Sequence, residues 1–260
     1  MTTFFYPEDT QKYVRDLPEI DNFGLRYTHF LKFKPDGDKY KVEFPFPKQI
    51  EIPKSSHEII IKLRERQEFQ LKSLSRIYDF RVIEAETDWR LIVGLGGEHV
   101  QETGMTLHHI YGIPYIPGSA IKGILHHWAR KDKDEFNIFG SEEDNEQKIK
   151  GNVIFMDAFP VDSVNFAPDI INPHYPEYYG GKKYPADWQS PIPVNFLTVE
   201  KTKFRFIFLS KKSENSNCLD KITKWLEDVF ELKGIGAKTA VGYGYFNKIK
   251  DISGNFSKTQ

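Results

Sequence analysis

From Thr87 onward the apolar positions of the chain fall into clear periods. Trp89, Leu91, Val93 and Leu95 alternate with Arg90 and Gly94, the two-residue period of a half-buried strand. After Pro117 and Gly118 the period lengthens. Ile121, Ile124, Leu125 and Trp128 make one helical stripe, which predicts a helix from Ser119, acting as N-cap, to about Arg130. Strands are predicted at 152–158 and 203–209, and a second helix is marked by Leu219, Ile222, Trp225, Leu226, Val229 and Phe230. A strand at 241–248 closes the series. The order βαββαβ predicts an α+β domain of the ferredoxin-like, split βαβ type, an antiparallel sheet with two helices on one face. RNA-recognition-motif (RRM) folds share that order.

Ahead of this region the periods are weaker. Residues 1–56 mix aromatics, prolines and charges, and they predict an extension with a short hairpin at Pro35-Asp36-Gly37-Asp38. Between His57 and Tyr78, Leu63, Leu71, Leu74 and Tyr78 approach helical spacing with Glu65, Arg66, Glu68 and Lys72 among them, which predicts a surface helix. The resulting division is an N-terminal extension at 1–86, a ferredoxin-like domain at 87–250 and a flexible tail at 251–260.

The predicted domain is interrupted at 160–200, a stretch that holds 7 of the 15 prolines with Phe166, Tyr175, Tyr178, Tyr179, Tyr184, Trp188 and Phe196. Little regular structure is expected there, but so many rings argue against plain disorder. The rings suit base stacking, and they suit equally a loop packed on its own domain or on a neighbouring subunit.

Candidate chemistry concentrates near the end, in GIGAKTAVGYGYF from Gly234 to Phe246. Gly234, Gly236, Gly242 and Gly244 permit close backbone approach, while Lys238 and Thr239 offer a cation and a hydroxyl, so the stretch reads as a phosphate-handling loop. A P-loop is excluded, because Ala237 precedes the lysine and the order runs from helix to strand. A tight connection without a ligand is the standing alternative. A second candidate is the start of the first helix. Lys122 sits in the first turn, where the macrodipole disfavours a cation, while Gly118, Ser119 and the free amides there suit an anion. A merely solvated lysine is the alternative.

Composition narrows the classes. The 260 residues are 39% hydrophobic and 15% aromatic, enough for one domain with a large insertion. A net charge of -1 excludes non-specific coating of nucleic acid, so any such contact is local. Residues 201–250 contain 11 Lys or Arg against 5 Asp or Glu, placing the basic surplus in the half with the glycine loop; 132–146 is predominantly acidic. Cys218 is the only cysteine, which excludes an internal disulfide and a cysteine-rich zinc site. Neither an 18-residue apolar run nor a signal-peptide pattern is present, and a cytoplasmic location without membrane contact is expected. No metal-ligand spacing is legible, so no metal or cofactor is expected.

The segments ETGMTLHHIYGIPYIPGSAIKGIL (Glu102 to Leu125), NPHYPEYY (Asn172 to Tyr179), PADWQSPIPVNFL (Pro185 to Leu197) and the glycine-rich close together resemble the RAMP superfamily. Within it they resemble the family of sixth Cmr subunits, Cas7-like members of type III-B CRISPR-Cas effector complexes. The resemblance covers about 87–250, with one departure, Ala120 where many relatives carry a second serine. It implies a non-catalytic subunit of an antiviral ribonucleoprotein that holds the guide RNA backbone toward its 3′ end. Its implied partners are the guide RNA, the target RNA, the first Cmr subunit, the Cas7-like backbone subunit and the small helical subunit. The stretch 160–200 would be a thumb-like insertion against neighbours and the guide–target duplex, with sequence read by base pairing. Gly118, Ser119, Lys122, Gly236, Lys238 and Thr239 would touch the guide backbone. Gly234, Gly242, Gly244 and the cations Lys201 and Arg205 of the basic half complete the RNA-binding set.

Two rival functions stay open. Metal-independent endoribonucleases of the superfamily use histidine, and of His99, His108, His109, His126, His127 and His174 the pair His108-His109, in the loop before the PYIPGS motif, is the best candidate for acid or base. The other rival is a pure protein-assembly subunit.

Overall fold

Phe204 to Ser210 are all buried, which an extended chain achieves only when both faces of its sheet are covered. A computed structural model describes residues 20–30, 33–37, 39–42, 52–97, 103–130, 134–140, 150–172, 193–212 and 217–256, with a few isolated positions besides. The buried run lies in β9 (Lys203–Lys211), which pairs antiparallel with β3 (Tyr78–Thr87) from Tyr78↔Lys211 to Glu86↔Lys203. On its other side β9 pairs with β5 (Val153–Phe155) and, further along, with β6 (Phe159–Pro160). β10 (Phe246–Asp251) pairs antiparallel with β3, giving the order β10-β3-β9-β5.

Alternation along these strands builds two cores. Ile83, Ala85, Phe204, Phe206 and Phe208 belong to the larger, which also takes the buried stripes of α3 (Gly118–Ala129) and α5 (Asn217–Leu232). In α5 the stripe is Leu219, Ile222, Leu226, Val229 and Phe230, and the Phe230 ring lies 5.0 Å from Phe206 and 4.5 Å from Phe246. Phe80, Val82, Ile207 and Leu209 form the smaller core with Leu71 of α2 (Lys54–Leu74) and with Ile252 and Phe256. A second antiparallel sheet has the order β4-β8-β7, from β4 (Arg90–Leu91), β7 (Asn165–Ile171) and β8 (Val194–Glu200).

Several sequence expectations are corrected by this packing. The stretch expected as a surface helix buries Ile60, Leu63, Gln67 and Leu71 along α2, and so covers a face of the main sheet. Tyr78 opens β3, whose inward positions were masked by their charged neighbours Asp79, Arg81, Glu84 and Glu86. The first strand therefore precedes residue 87, and of the alternation at 89–95 only Arg90 and Leu91 are paired, in the second sheet. The region before 57 is not a detached extension. In α1 (Phe23–Thr28) Phe23 and Tyr27 are buried in the larger core, and Phe23 stacks on Phe166 at 4.5 Å. The expected hairpin forms as β1 (Phe33–Asp36) and β2 (Lys39–Val42), closing at Asp36↔Lys39.

The insertion is regular at both ends, where β7 and β8 pair from Asn165↔Glu200 to Ile171↔Val194 and bury Phe166 and Phe196. Phe166 joins the larger core with Val199, its partner across the two strands, while Phe196 packs with Ile92 and Tyr243. Tyr175, Tyr179 and Trp188 lie outside the described residues, as do His99, His174 and 141–149. Tyr178 and Tyr184 are exposed. The tail expected to be flexible is packed as far as described, because Ile252 and Phe256 are buried; 257–260 lie outside the described residues. The last strand begins at Phe246, since 239–241 forms a 3-10 turn.

Candidate functional site

The glycine loop begins where α5 ends. Gly234, buried at φ +73°, turns the chain, and its N–H returns to the carbonyl of Val229 at 2.7 Å. Beyond it the loop binds its own protein closely. A Cβ on Gly236 would stand 2.4 Å from the Ile92 carbonyl oxygen and one on Gly244 only 2.0 Å from that of Ile235, both at positive φ. The close approach read from the glycines is thus made by the protein's own backbone. Ala237 N–H donates to Ile92 O at 2.8 Å and Gly244 N–H to Arg90 O at 2.7 Å, fastening the loop to the chain after β3.

What this fastening holds up is Lys238, left-handed at φ +59°, ψ +29°. Its ammonium lies 5.4 Å from the ring centroid of Phe196 and 5.7 Å from that of Tyr243. No carboxylate among the described residues pairs with it. The two rings give a cation about 0.5–2 kcal/mol of attraction without neutralising it. Thr239 starts the 3-10 turn with its methyl toward Gly234, and Gly242 is exposed beneath the edge of Trp89.

Four side chains that the sequence reading left out brace this tip. The Tyr243 hydroxyl donates to the Asp169 carboxylate, which also pairs with Arg90; Arg90 lies 5.2 Å from the Trp89 ring centroid. Burial, and then Asp169, push the Tyr243 phenol up to about 12. Burial alone would raise Asp169, but Tyr243, the Ile170 N–H and Arg90 outweigh it and hold the carboxyl below its ordinary range. The Trp-Arg alternation read as a strand was the one available signal for Trp89 and Arg90. Asp169 had none, being 74 residues away from Tyr243.

The start of α3 is different from its expectation. Pro117 is the cap, Ser119 lies exposed inside the first turn, and the first amide, Gly118 N–H, donates to Asp157 Oδ1 at 2.7 Å. A Cβ at Gly118 would stand 2.3 Å from the Phe155 carbonyl oxygen, so the helix end is pressed onto the end of β5. An internal carboxylate thus answers part of the helix's positive end. Lys122 is half-buried with no ion pair among the described residues. The contacts of the α3 start and of the glycine loop share no residue.

Arg205 is engaged by the protein's own carboxylates. It is 3% exposed, stands opposite Glu84 in the β3–β9 register, donates to Glu84 Oε1 at 2.9 Å and 3.1 Å, and pairs with Glu68 of α2 at 3.3 Å. It is a structural ion pair inside the smaller core, and its place in the expected RNA-binding set is corrected on that ground. Lys201 is exposed in the turn between β8 and β9 at φ +43°.

The histidines are similarly engaged. His108 stacks on Tyr111 at 4.3 Å and on His109 at 5.1 Å, and its Nδ1 accepts from the N–H groups of Ile110 and Tyr111 at 3.3 Å. Burial and the neighbouring His109 hold its imidazole below the ordinary value. A ring that accepts two backbone bonds serves to shape its loop. His126 pairs with Glu135 at 2.8 Å in α4 (Glu135–Phe139). Among the described residues no group of three or more His, Cys, Asp or Glu could hold a metal ion, and no helix is long and apolar enough to cross a membrane.

Comparison with known proteins follows the same region. Residues 82–247 match the sequence pattern of the RAMP superfamily. The CRISPR system Cmr subunit Cmr6 of Pyrococcus furiosus is 30% identical over 82% of this chain and 80% of its own length. The CRISPR system CMR subunit Cmr6 of Saccharolobus solfataricus is 31% identical over 84% of this chain and 67% of its own. A chain in the cryo-EM structure of the Type III-B Cmr-beta bound to cognate target RNA superposes with a TM-score of 0.62 at 31% identity, covering 75% of this chain and 67% of that one.

Proposed function

The chain belongs to the RAMP superfamily, among the relatives of Cmr6, and from that premise we propose that it is a non-catalytic, Cas7-like RNA-binding subunit of a type III-B CRISPR effector. It works beside the other Cmr subunits in the cytoplasm and holds guide RNA by its backbone toward the 3′ end. The order β10-β3-β9-β5 with α3 and α5 supports a ferredoxin-like unit. In this reading its boundary moves back from 87 to the start of β3, and 160–200 is its thumb.

One observation carries the reading. Lys238 stands in a left-handed conformation at the tip of a loop that its own backbone bonds make rigid, with its charge unneutralised among the described residues. Fixed geometry with a free cation suits a phosphate, whose position on a guide does not change with sequence. Thr239 and the exposed Gly242 border the same tip, and Gly234, Gly236 and Gly244 serve by shaping it. Lys122 with the Ser119 amide is a second phosphate contact, Asp157 having taken the Gly118 amide. Lys201 is a third, peripheral one. Arg90, Asp169 and Tyr243 position the loop.

The test is to purify the tagged protein from its own host and sequence the RNA that accompanies it. Guide-sized RNAs of many sequences with a common protected end are the expected result. Complete Cmr assemblies whose guide lacks any protection attributable to this subunit would replace the reading with pure assembly.

A further inference from the structure

A cavity of about 400 Å³ between α2 and the aromatic loop around His108 is not used by the contacts above. That volume is at the small end of ligand clefts, roughly 300–1,000 Å³. Its chemistry is mixed in a particular way. His108 and Tyr111 are stacked face to face, 20° apart at 4.3 Å, and Phe159 stands tilted 5.7 Å from His108, so one wall of the lining is built of stacked aromatic rings. The wall is fixed, because the two backbone bonds to His108 Nδ1 set the orientation of that ring.

Against this wall stand two groups whose bonding is incomplete. Gln67 is only 6% exposed, lines the cavity and bonds to no described residue. Its amide therefore has donors and an acceptor to offer at the cavity. Asp157, also lining the cavity, spends Oδ1 on the Gly118 N–H, and its second oxygen accepts nothing from the described residues. Arg66 is at the exposed rim, where it donates weakly to the Tyr111 hydroxyl at 3.4 Å.

The required ligand is flat, to lie on the aromatic wall, and carries N–H and C=O groups along one edge. A phosphate is repelled by Asp157, and an apolar side chain leaves Gln67 unanswered. We infer that this cavity accepts one unstacked nucleobase of the bound RNA, by stacking on its aromatic wall and by edge bonds to Gln67 and Asp157. This rests on the RNA-binding reading. Single-stranded RNA is commonly bound in this manner, by rings on a face and polar side chains on an edge. Guanine matches both groups, with N–H donors for Asp157 and a carbonyl for the Gln67 amide.

The experiment measures binding of the full-length protein to labelled single-stranded hexaribonucleotides, oligo-G against the same length of abasic backbone, by fluorescence anisotropy. Oligo-G is expected to bind on the order of tenfold more tightly, the effect of one stacked base. Gln67→Leu and Asp157→Asn should each bring oligo-G binding down toward the abasic level measured for the same variant. Asp157→Asn keeps an acceptor for Gly118 on an exposed side chain, so it carries the test if Gln67→Leu melts early. Equal wild-type binding of the two hexamers, or unchanged oligo-G binding in a folded Asp157→Asn variant, overturns the base pocket and leaves the backbone reading standing. Binding of neither hexamer by the wild-type protein overturns both.

Discussion

The ammonium of Lys238 and the ring of Phe196 meet at 5.4 Å, joining the tip of the glycine loop to a fully buried side chain of β8. The cation is thereby anchored by its stem and rings while its charge stays available. In the proposed function a lysine so placed meets the guide backbone without regard to its sequence.

Lys238→Ala and Lys122→Ala should each weaken RNA retention in the assembled complex across unrelated guides. The slope of log K against log salt should become shallower by about 1 for each phosphate that is no longer neutralised. Binding titrations between low and moderate salt check this. A defect confined to one guide sequence would be incompatible with a backbone role.

Gly244→Ala and Gly123→Ala should differ in sign. At Gly244 a Cβ meets the Ile235 carbonyl oxygen at 2.0 Å with φ +77°, whereas at Gly123, within α3, it meets nothing within 4 Å. Gly244→Ala should cost about 1–3 kcal/mol of stability. Gly123→Ala should gain up to about 1 kcal/mol from helix propensity. Denaturant unfolding of both variants measures the contrast.

Arg205→Ala should destabilise the protein by about 3 kcal/mol, because it leaves Glu84 and the half-exposed Glu68 without their partner beside the smaller core. RNA retention per folded molecule should be unchanged. A variant of normal stability with impaired retention would return Arg205 to the RNA surface.

The Tyr243–Asp169 pair predicts stability limits at both ends of the pH range. The Tyr243 phenol is raised to about 12, so the fold's preference for the protonated form is intact below the unfolded value of about 10 and is lost as pH rises through 12. Asp169 is lowered, so its support is present above the ordinary carboxylate value and is lost as pH falls from there through the lowered value. Tyr243→Phe should flatten the alkaline decline, and Asp169→Asn the acid decline, in unfolding midpoints followed against pH. Wild-type slopes in either variant would count against the pair.

Removing 173–192 with a short glycine-serine bridge should leave the protein folded, because Ile171 and Val194 are paired neighbours at the ends of the cut. A cut begun at Phe166 would instead remove β7 and the ring stacked on Phe23. Circular dichroism and gel filtration should be normal for the 173–192 deletion, while reconstitution into the complex fails. Normal assembly with full guide protection would show that this stretch is not a thumb.

The strong periodic signals determined α3, α5 and β9, because each buries one stripe or run that repeats within a few residues. The glycine loop was legible for a related reason: positive φ and approach distances below 3 Å restrict a position to glycine. Tertiary structure decided the rest. The strand β3 hides its inward residues among Asp79, Arg81, Glu84 and Glu86, two of which gain partners only across the sheet. Arg205 and Lys238 are both cations of one basic segment, yet one is buried between Glu84 and Glu68 and the other stands free above Phe196. No local pattern separates them, because the difference lies in strand register and in side chains 42 to 137 residues away along the chain. Charge type is written in the sequence; which charges remain for RNA is settled only when the fold has paired the others.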